Sequence, residues 1–458
     1  MDERIVDTSI LSVDQKMCWD ALNAGENLFV TARAGAGKSF LIDFIRANYK
    51  GRVLTTASTG IAANNVGGRT LHSQFLINPS APNAKESANK VDAGKRGWAV
   101  RSAKLLIIDE ISMVSDALLE CVSEICKMVR DSSLPFGGVQ VALFGDFLQL
   151  PPVFKGTSAN DKICWDCKCW KEANIKTMLM TSNFRQSGDD EFYRILTRLR
   201  YNKLNAQDIA RIESREVPAD DTAIRLFSTN AEVDQYNVFK FNKLDPATER
   251  KFRADSYGDE NLIRAYWKDS LIPEELVLRV GARVMMCKNK DVDGGYLFNG
   301  SLGEVIGFSG IGTEDEGFGL SDTYGNPIVR FDSGIVYTVE EETIFNPTEK
   351  NERGIDVTLA TINQLPLRLA YAITVHKSQG TSVDAAFIDC SRMFMNGQVY
   401  VAFSRVRSLE GLFVTGFNPH AKATFSNSEI VDRYVVMEQE AFERNSEYDG
   451  TYISACYF

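Results

Sequence analysis

Histidine is nearly missing from this chain: His72, His376 and His420 are the only three in 458 residues. No apolar run approaches the length needed to cross a bilayer, so no membrane span is expected. No signal peptide precedes the nine cysteines, an odd number scattered along the chain, and free thiols in a reducing compartment are the simplest reading. Positive charge is in deficit, with 51 Lys and Arg against 61 Asp and Glu, a net charge of -10. That argues against a surface coated for nucleic acid, yet it leaves room for a locally positive groove. Internal repeats and low-complexity tracts are absent. What remains is 44% hydrophobic and 24% charged, the profile of an ordinary soluble globular protein, long enough for two or three domains. The expected location is intracellular: the cytoplasm of a prokaryotic or viral host, or a eukaryotic nucleus or mitochondrion.

One cysteine cluster stands out. "CWDCKC" sets Cys164, Cys167 and Cys169 at metal-like spacing. No fourth ligand is near in sequence, so ordinary buried or half-exposed thiols are expected.

Short apolar runs recur, each followed by a turn and a helix-like segment. "NLFV" (27–30), "RVLTTAS" (52–58), "KLLIIDE" (104–110) and "VQVALFGD" (139–146) are of this kind, and "SFLIDFIRANYK" after the first has helical periodicity. Continuous β-branched runs flanked by helices indicate a parallel sheet buried on both faces. An α/β nucleotide-binding domain is expected over 1–183, with a small polar insertion at 77–100 carrying Lys85, Lys90, Lys95, Arg96 and Trp98. "AIRLFSTN" (223–230), "AAFIDC" (385–390) and "GLFVTGF" (411–417) predict a second parallel sheet, formed by 184–292 and 359–458. Between them, 293–358 alternates apolar and polar residues between turns, the pattern of a small inserted antiparallel β-barrel.

"TARAGAGKS" (31–39) is one residue short of the phosphate-loop pattern G-x-x-x-x-G-K-[ST], because Ala32 stands where the first glycine belongs. In such a loop, successive backbone N–H groups point at the phosphates and the following helix adds its dipole. Ala34, Gly35, Ala36, Gly37, Lys38, Ser39 and Phe40 form the candidate nucleotide-binding stretch. Lys38 would reach the β- and γ-phosphates and Ser39 would ligate Mg²⁺. An alanine at 32 is tolerable if its φ is negative. "LLIIDE" ends an apolar strand in two acids. Asp109 would hold Mg²⁺ and Glu110 would polarise the attacking water, a contribution of roughly 100- to 10,000-fold. In "FGDFLQLPPV" (144–153), Gln149 follows a strand end in a turn stiffened by Pro151 and Pro152, placed to sense the γ-phosphate.

Seven stretches in order carry a resemblance: "ARAGAGKS", "TASTGIAANNVGGRTLHSQF", "IIDEISMV", "PFGGVQVALFGDFLQLPPV", "NFRQ", "ITVHKSQGTSVDAAFID" and "VYVAFSRVRSLEGL". The chain resembles superfamily-one DNA helicases of the petite-integration-frequency (PIF) type, related to the RecD branch, from about residue 12 to 417. The segment "SDALLECVSEICKMVRDSSLPFGG" resembles the one that distinguishes that type. The resemblance implies two RecA-like parallel-sheet domains of the P-loop NTPase class, with ATP and Mg²⁺ in a cleft between them and a barrel inserted in the second. It assigns catalytic arginines to Arg185 of "NFRQ" and Arg405 of "AFSRVR", nucleotide contact to Gln379 and adenine reading to Gln15. Single-stranded DNA would cross Ser58, Thr59, His72, Gln74, Thr374, His376 and Lys377, with Phe75 and Phe147 as candidates for base stacking. It also implies 5′ to 3′ movement driven by alternating grip, unwinding at duplex/single-strand junctions, and work in replication, repair or recombination. The chain reads as a bare, monomeric motor core. Two other functions stay open here: a nucleotide-gated single-stranded-DNA scaffold with little turnover, and an unrelated P-loop ATPase or kinase that binds no nucleic acid.

Overall fold

The computed structural model describes residues 6–33, 35–78, 82–152, 163–180, 182, 188–218, 223–270, 272–293, 295–297, 299–309, 325–350, 356–379 and 381–449. The chain forms two compact units. The first holds Met1–Ile209, Phe394–Ser404 and Asn418–Phe458; the second holds Ala210–Met393 and Arg405–Phe417.

In the first unit, strands β1 (Leu28–Ala32), β2 (Arg52–Ala57), β3 (Arg69–Thr70), β4 (Ala103–Asp109), β5 (Gln140–Gly145) and β6 (Lys176–Met180) form one sheet in the order β3-β2-β4-β5-β1-β6. Every pairing is parallel. Alternate side chains of the central strands enter different cores, as period-2 geometry requires. Leu28, Val30, Leu105, Ile107, Ala142 and Phe144 pack with Met17 and Leu22 of helix α1 (Val13–Asn23) and with Leu41, Ile42, Phe44 and Ile45 of helix α2 (Lys38–Asn48). Phe29, Leu106, Ile108, Val141 and Leu143 join the opposite cluster. Both faces are therefore covered, which is why these strands read as unbroken apolar runs. Gly145 ends β5 where a Cβ would lie 2.9 Å from Cγ2 of Ile111, so the chain beyond β4 can pass close only over a glycine.

The described part of the polar stretch 77–100 carries helix from residue 84 onward. Ala84–Asp92 and Lys95–Ser102 are short helices, the first capped by Asn83, whose side chain accepts from the Glu86 N–H at 3.1 Å. Ala88, Val91 and Val100 enter the opposite core, which explains how so polar a segment stays attached. The C-terminal part also departs from expectation. Gln398–Phe403 and the helix Ser428–Asp449 lie in the first unit, not the second. Tyr434 anchors that helix: it has no exposed surface and stands 6.0 Å, ring to ring, from Trp165.

The second unit has its own four-stranded parallel sheet, from Ala372–Thr374, Ile224–Phe227, Ala386–Asp389 and Leu412–Thr415 in that spatial order. Its antiparallel part is wider than 293–358. Val336–Thr338, Pro327–Phe331, Leu302–Phe308, Arg283–Met286 and Leu367–Leu369 make a five-stranded sheet, and Glu342–Phe345, Ala360–Gln364 and Asp255–Gly258 a separate three-stranded one. The flanking strands were hidden because "RVMM" and "LRL" lack clear alternation; burial of Val284, Met286 and Leu367 beside Val305 and Val329 recruits them. Among the described residues, no helix is long and apolar enough to cross a membrane.

Candidate nucleotide and nucleic-acid site

The departure at Ala32 is settled by where it lies. It is the last residue of β1, has no exposed surface, and pairs with Met180 of β6. Its backbone is a strand, so the methyl meets no conformational penalty. Positive φ occurs later, at Gly35 (85°) and Gly37 (80°), where glycines stand. Gly37 caps α2, so the first-turn N–H groups of that helix face the loop. The Lys38 ammonium arches back over the loop and donates to the Ala32 carbonyl at 3.1 Å. Ser39 and Phe40 are exposed. Ala34 lies outside the described residues.

Gln15 is buried and engaged at both ends of its amide. Its Oε1 accepts from the Ser12 N–H at 3.0 Å and its Nε2 donates to the Gly37 carbonyl at 3.3 Å. As folded it braces the phosphate loop, a role the adenine expectation did not include.

Asp109 ends β4, buried, and Glu110 follows in the left-handed region (φ 51°, ψ 48°). A non-glycine residue held there stores strain that recurs at functional sites. Burial, and then the neighbouring Glu110 charge, push the Asp109 carboxyl up to about 7, against the pull of Lys38. Two acids pressed together at a strand end favour a cation.

Asp146, just past β5, holds the turn that carries Gln149. Its carboxylate accepts from the Leu148 N–H at 3.1 Å and from Gln149 Nε2 at 3.2 Å. Burial would raise its pKa, but the Arg200 guanidinium outweighs it and the carboxyl lies below its ordinary value. Arg200, in the helix Asp190–Arg200, donates to Asp146 at 2.8 and 3.1 Å, and to Glu438 of the C-terminal helix at 2.8 Å. The Tyr434 hydroxyl also meets Thr31, one residue before Ala32. Arg200, Glu438, Tyr434 and Thr31 escaped the sequence reading, since nothing in "RLRY" or the terminal helix signals a partner so remote in the chain.

In the second unit, Thr374–Gln379 leaves a parallel strand in a tight turn. Thr374 Oγ1 accepts from the Lys377 N–H at 3.2 Å, and the Gln379 N–H donates to the His376 carbonyl at 3.2 Å. Arg405 is 2% exposed and donates to the Ser378 carbonyl at 3.4 Å, a contact that lies within the second unit. Arg185 and the rest of "NFRQ" lie outside the described residues.

The expected DNA residues divide. Thr59 Oγ1 accepts from the Ala62 N–H at 3.2 Å, capping a short helix. The Thr70 hydroxyl caps the helix Leu71–Phe75 that carries His72 and Gln74. Ser58 Oγ, Gln74 Nε2 and His376 Nε2 are buried atoms without a hydrogen-bond partner among the described residues. Such an orphan costs about 1–3 kcal/mol, so these atoms are suited to meeting a ligand or solvent. Burial lowers the His376 pKa, which favours the neutral imidazole. The stacking expectation is corrected: Phe75 has no exposed surface and Phe147 only 5%, and Phe147 packs 4.6 Å from Trp165. Both rings are spent in the core, leaving no face for a base.

A parallel sheet with a phosphate loop after one strand and an acid pair after a near neighbour defines a P-loop ATPase. Residues 10–208 match the profile of the PIF1-like helicase family, and 268–308 match that of the DNA helicase Pif1 2B domain. The chain is 34% identical to the ATP-dependent DNA helicase PIF1 of Xenopus laevis, over 96% of this chain and 66% of that protein. It is also 34% identical to the ATP-dependent DNA helicase Pif1 of Bdellovibrio bacteriovorus, over 94% of this chain and 92% of that protein. Among solved structures, Bacteroides Pif1 in complex with ADP-AlF4 superposes with a TM-score of 0.77 at 29% identity, covering 95% of this chain and 98% of that one. Bacteroides Pif1 with ADP-AlF3 and single-stranded DNA gives 0.58 at 29% identity, over 97% and 99%. The chain belongs to the PIF1-like helicase family. It spans 66% of the first of these relatives and 62% of the human one.

Proposed function

We propose that the protein is an ATP-driven DNA helicase that translocates 5′ to 3′ on single-stranded DNA and unwinds duplexes from single-strand junctions, serving replication, repair or recombination. The observation that carries this reading is the convergence at the carboxyl ends of the adjacent strands β4, β5 and β1. Asp109 and Glu110, Asp146 with Gln149, and the loop bearing Lys38 all leave the sheet at that edge, where parallel sheets bind ligands.

Lys38 and the first turn of α2 bind the phosphates of ATP. The acid pair, with Asp109 buried and Glu110 half-buried, fits Mg²⁺, which Ser39 and Asp109 would hold and which would supply charge neutralisation at the phosphates. Glu110 accepts the proton of the attacking water. Gln149, fixed by Asp146, reports the γ-phosphate. Arg405 and Arg185 stabilise developing charge, on the strength of their motif positions, and Gln379 contacts the nucleotide. Ser58, Thr59, His72, Gln74, Thr374, His376 and Lys377 hold the DNA backbone, and the orphaned atoms at 58, 74 and 376 support this.

The test is unwinding of duplexes with a 5′ or a 3′ tail, alongside DNA-stimulated ATP hydrolysis. Activity on 5′ tails, lost in Lys38→Ala, is expected. Unwinding confined to 3′ tails refutes the polarity, DNA binding without turnover selects the gated scaffold, and hydrolysis indifferent to DNA refutes both.

A further inference from the structure

The cysteine cluster gains in space the ligand it lacks in sequence. The helix Asp116–Arg130 brings Glu120 against "CWDCKC". The thiols of Cys167 and Cys169 are 3.4 Å apart, and a Glu120 carboxylate oxygen accepts from the Cys169 N–H at 2.7 Å. The three donor atoms all lie within 4.8 Å of one another. Cys167 and Cys169 are buried, and Glu120 is half-buried. We propose that Glu120, Cys167 and Cys169 form a zinc site that clips the segment Ile163–Glu172 to the helix beneath it.

The chemistry selects the ion. Two thiolates and a carboxylate suit zinc and not magnesium or calcium, which take all-oxygen shells. Bonds of about 2.3 Å to sulfur and 2.0–2.2 Å to oxygen at tetrahedral angles put two thiolates about 3.8 Å apart and thiolate and carboxylate about 3.5 Å apart. The donors are within a small adjustment of that arrangement. Zinc takes cysteine as the thiolate, so each of the two thiols gives up its proton on coordination. Binding therefore releases two protons to solvent as Zn²⁺ replaces them, leaving one net negative charge on the four-centre group. The fourth position goes to water, since the buried Cys164 thiol is turned to the Ile111 carbonyl, 3.6 Å away, and is not among the clustered donors.

A clip here is structural. The segment it holds contains only one 3-10 turn, Cys164–Asp166, and one short helix, Lys168–Glu172, too little regular structure to fix itself. The site is separate from the Lys38 and Asp109 chemistry and survives any revision of the proposed helicase activity.

The test uses the full chain, purified without a histidine tag and dialysed against metal-free buffer, with metal read by mass spectrometry. About one zinc per chain is expected, falling to about a tenth or less in Cys167→Ser/Cys169→Ser, while Cys18→Ser/Cys390→Ser keeps its metal. Cobalt substitution should give a thiolate charge-transfer band that Glu120→Ala weakens. Should the cysteine variant fold poorly, wild-type melting carries the test: a chelator lowers it and zinc restores it. Metal-free protein with reduced, titratable thiols and a chelator-insensitive melt overturns the proposal, as does a Cys167–Cys169 disulfide under non-reducing mass spectrometry.

Discussion

Arg200 and Asp146 form an ion pair with no exposed surface on either side chain, closed by two hydrogen bonds and shared with Glu438. Burial opposes the Arg200 charge, but Asp146 and Glu438 outweigh it and its pKa lies well above the ordinary value. A pair this deep cannot lose one member cheaply, because the survivor is a buried charge.

Arg200→Ala is therefore expected to cost about 3–5 kcal/mol in urea unfolding, whereas Lys90→Ala, breaking the exposed Lys90–Glu86 pair, should cost about 0.3–0.5 kcal/mol. Asp146→Asn should reduce ATP turnover more than ATP affinity, since the lost charge frees Gln149. The pH dependence has a definite sign. The Asp146 carboxyl is depressed in the folded state, so its stability is full above the ordinary value of 3.8 and is lost only as pH falls below it. A wild-type chain whose stability declines between pH 7 and 5 through this group contradicts the assignment.

Ala32→Gly restores the usual loop pattern and should gain nothing. Residue 32 is a buried strand position, so glycine adds unfolded-state freedom and removes a packed methyl, costing about 0.5–1 kcal/mol. The kcat and KM for ATP should stay within about two-fold, a shift below 0.5 kcal/mol. A large rise in kcat would mean that the alanine throttles turnover after all.

The parts legible in sequence were those whose partners lie close along the chain or whose pattern is periodic. Strands β1, β4 and β5 announced themselves because both their faces are covered, and the Lys38 loop because its glycines must take positive φ. What stayed hidden is remote pairing. Tyr434 meets Thr31 across some four hundred residues, and Glu120 meets Cys169 from a different helix. The 77–100 segment read as a polar insertion, and its two short helices add Ala88, Val91 and Val100 to the core. Phe75 and Phe147 misled because an aromatic residue in a motif looks alike whether it faces a base or the core.

The raised Asp109 carboxyl gives a second pH signature, opposite in sign to that of Asp146. A folded value of about 7 means that the nucleotide-free protein holds this proton more tightly than the unfolded chain does. Its stabilising contribution is whole below the ordinary carboxylate value and fades as pH rises through about 7. Asp109→Asn should raise the melting temperature at pH 8 more than at pH 5, while lowering turnover by about a hundred-fold or more. Binding of magnesium nucleotide at pH 6 should release up to about one proton, read by calorimetry in buffers of different ionisation enthalpy. Equal melting gains at both pH values would remove the titration from Asp109.

Gln74 and Ser58 offer a trade between stability and DNA binding. Each buries a polar atom without a partner among the described residues, a burden of about 1–3 kcal/mol that replacement by an apolar side chain relieves. Gln74→Met keeps much of the volume and Ser58→Ala removes only the hydroxyl. If those atoms are held in reserve for a DNA backbone, both variants should melt at or above the wild-type temperature yet bind single-stranded DNA several-fold more weakly, a loss of about 1 kcal/mol per contact. Fluorescence anisotropy on a labelled oligonucleotide, run beside a thermal melt, reads both quantities. A variant that melts lower while binding DNA as tightly as wild type would assign the side chain to the core and take it out of the DNA path.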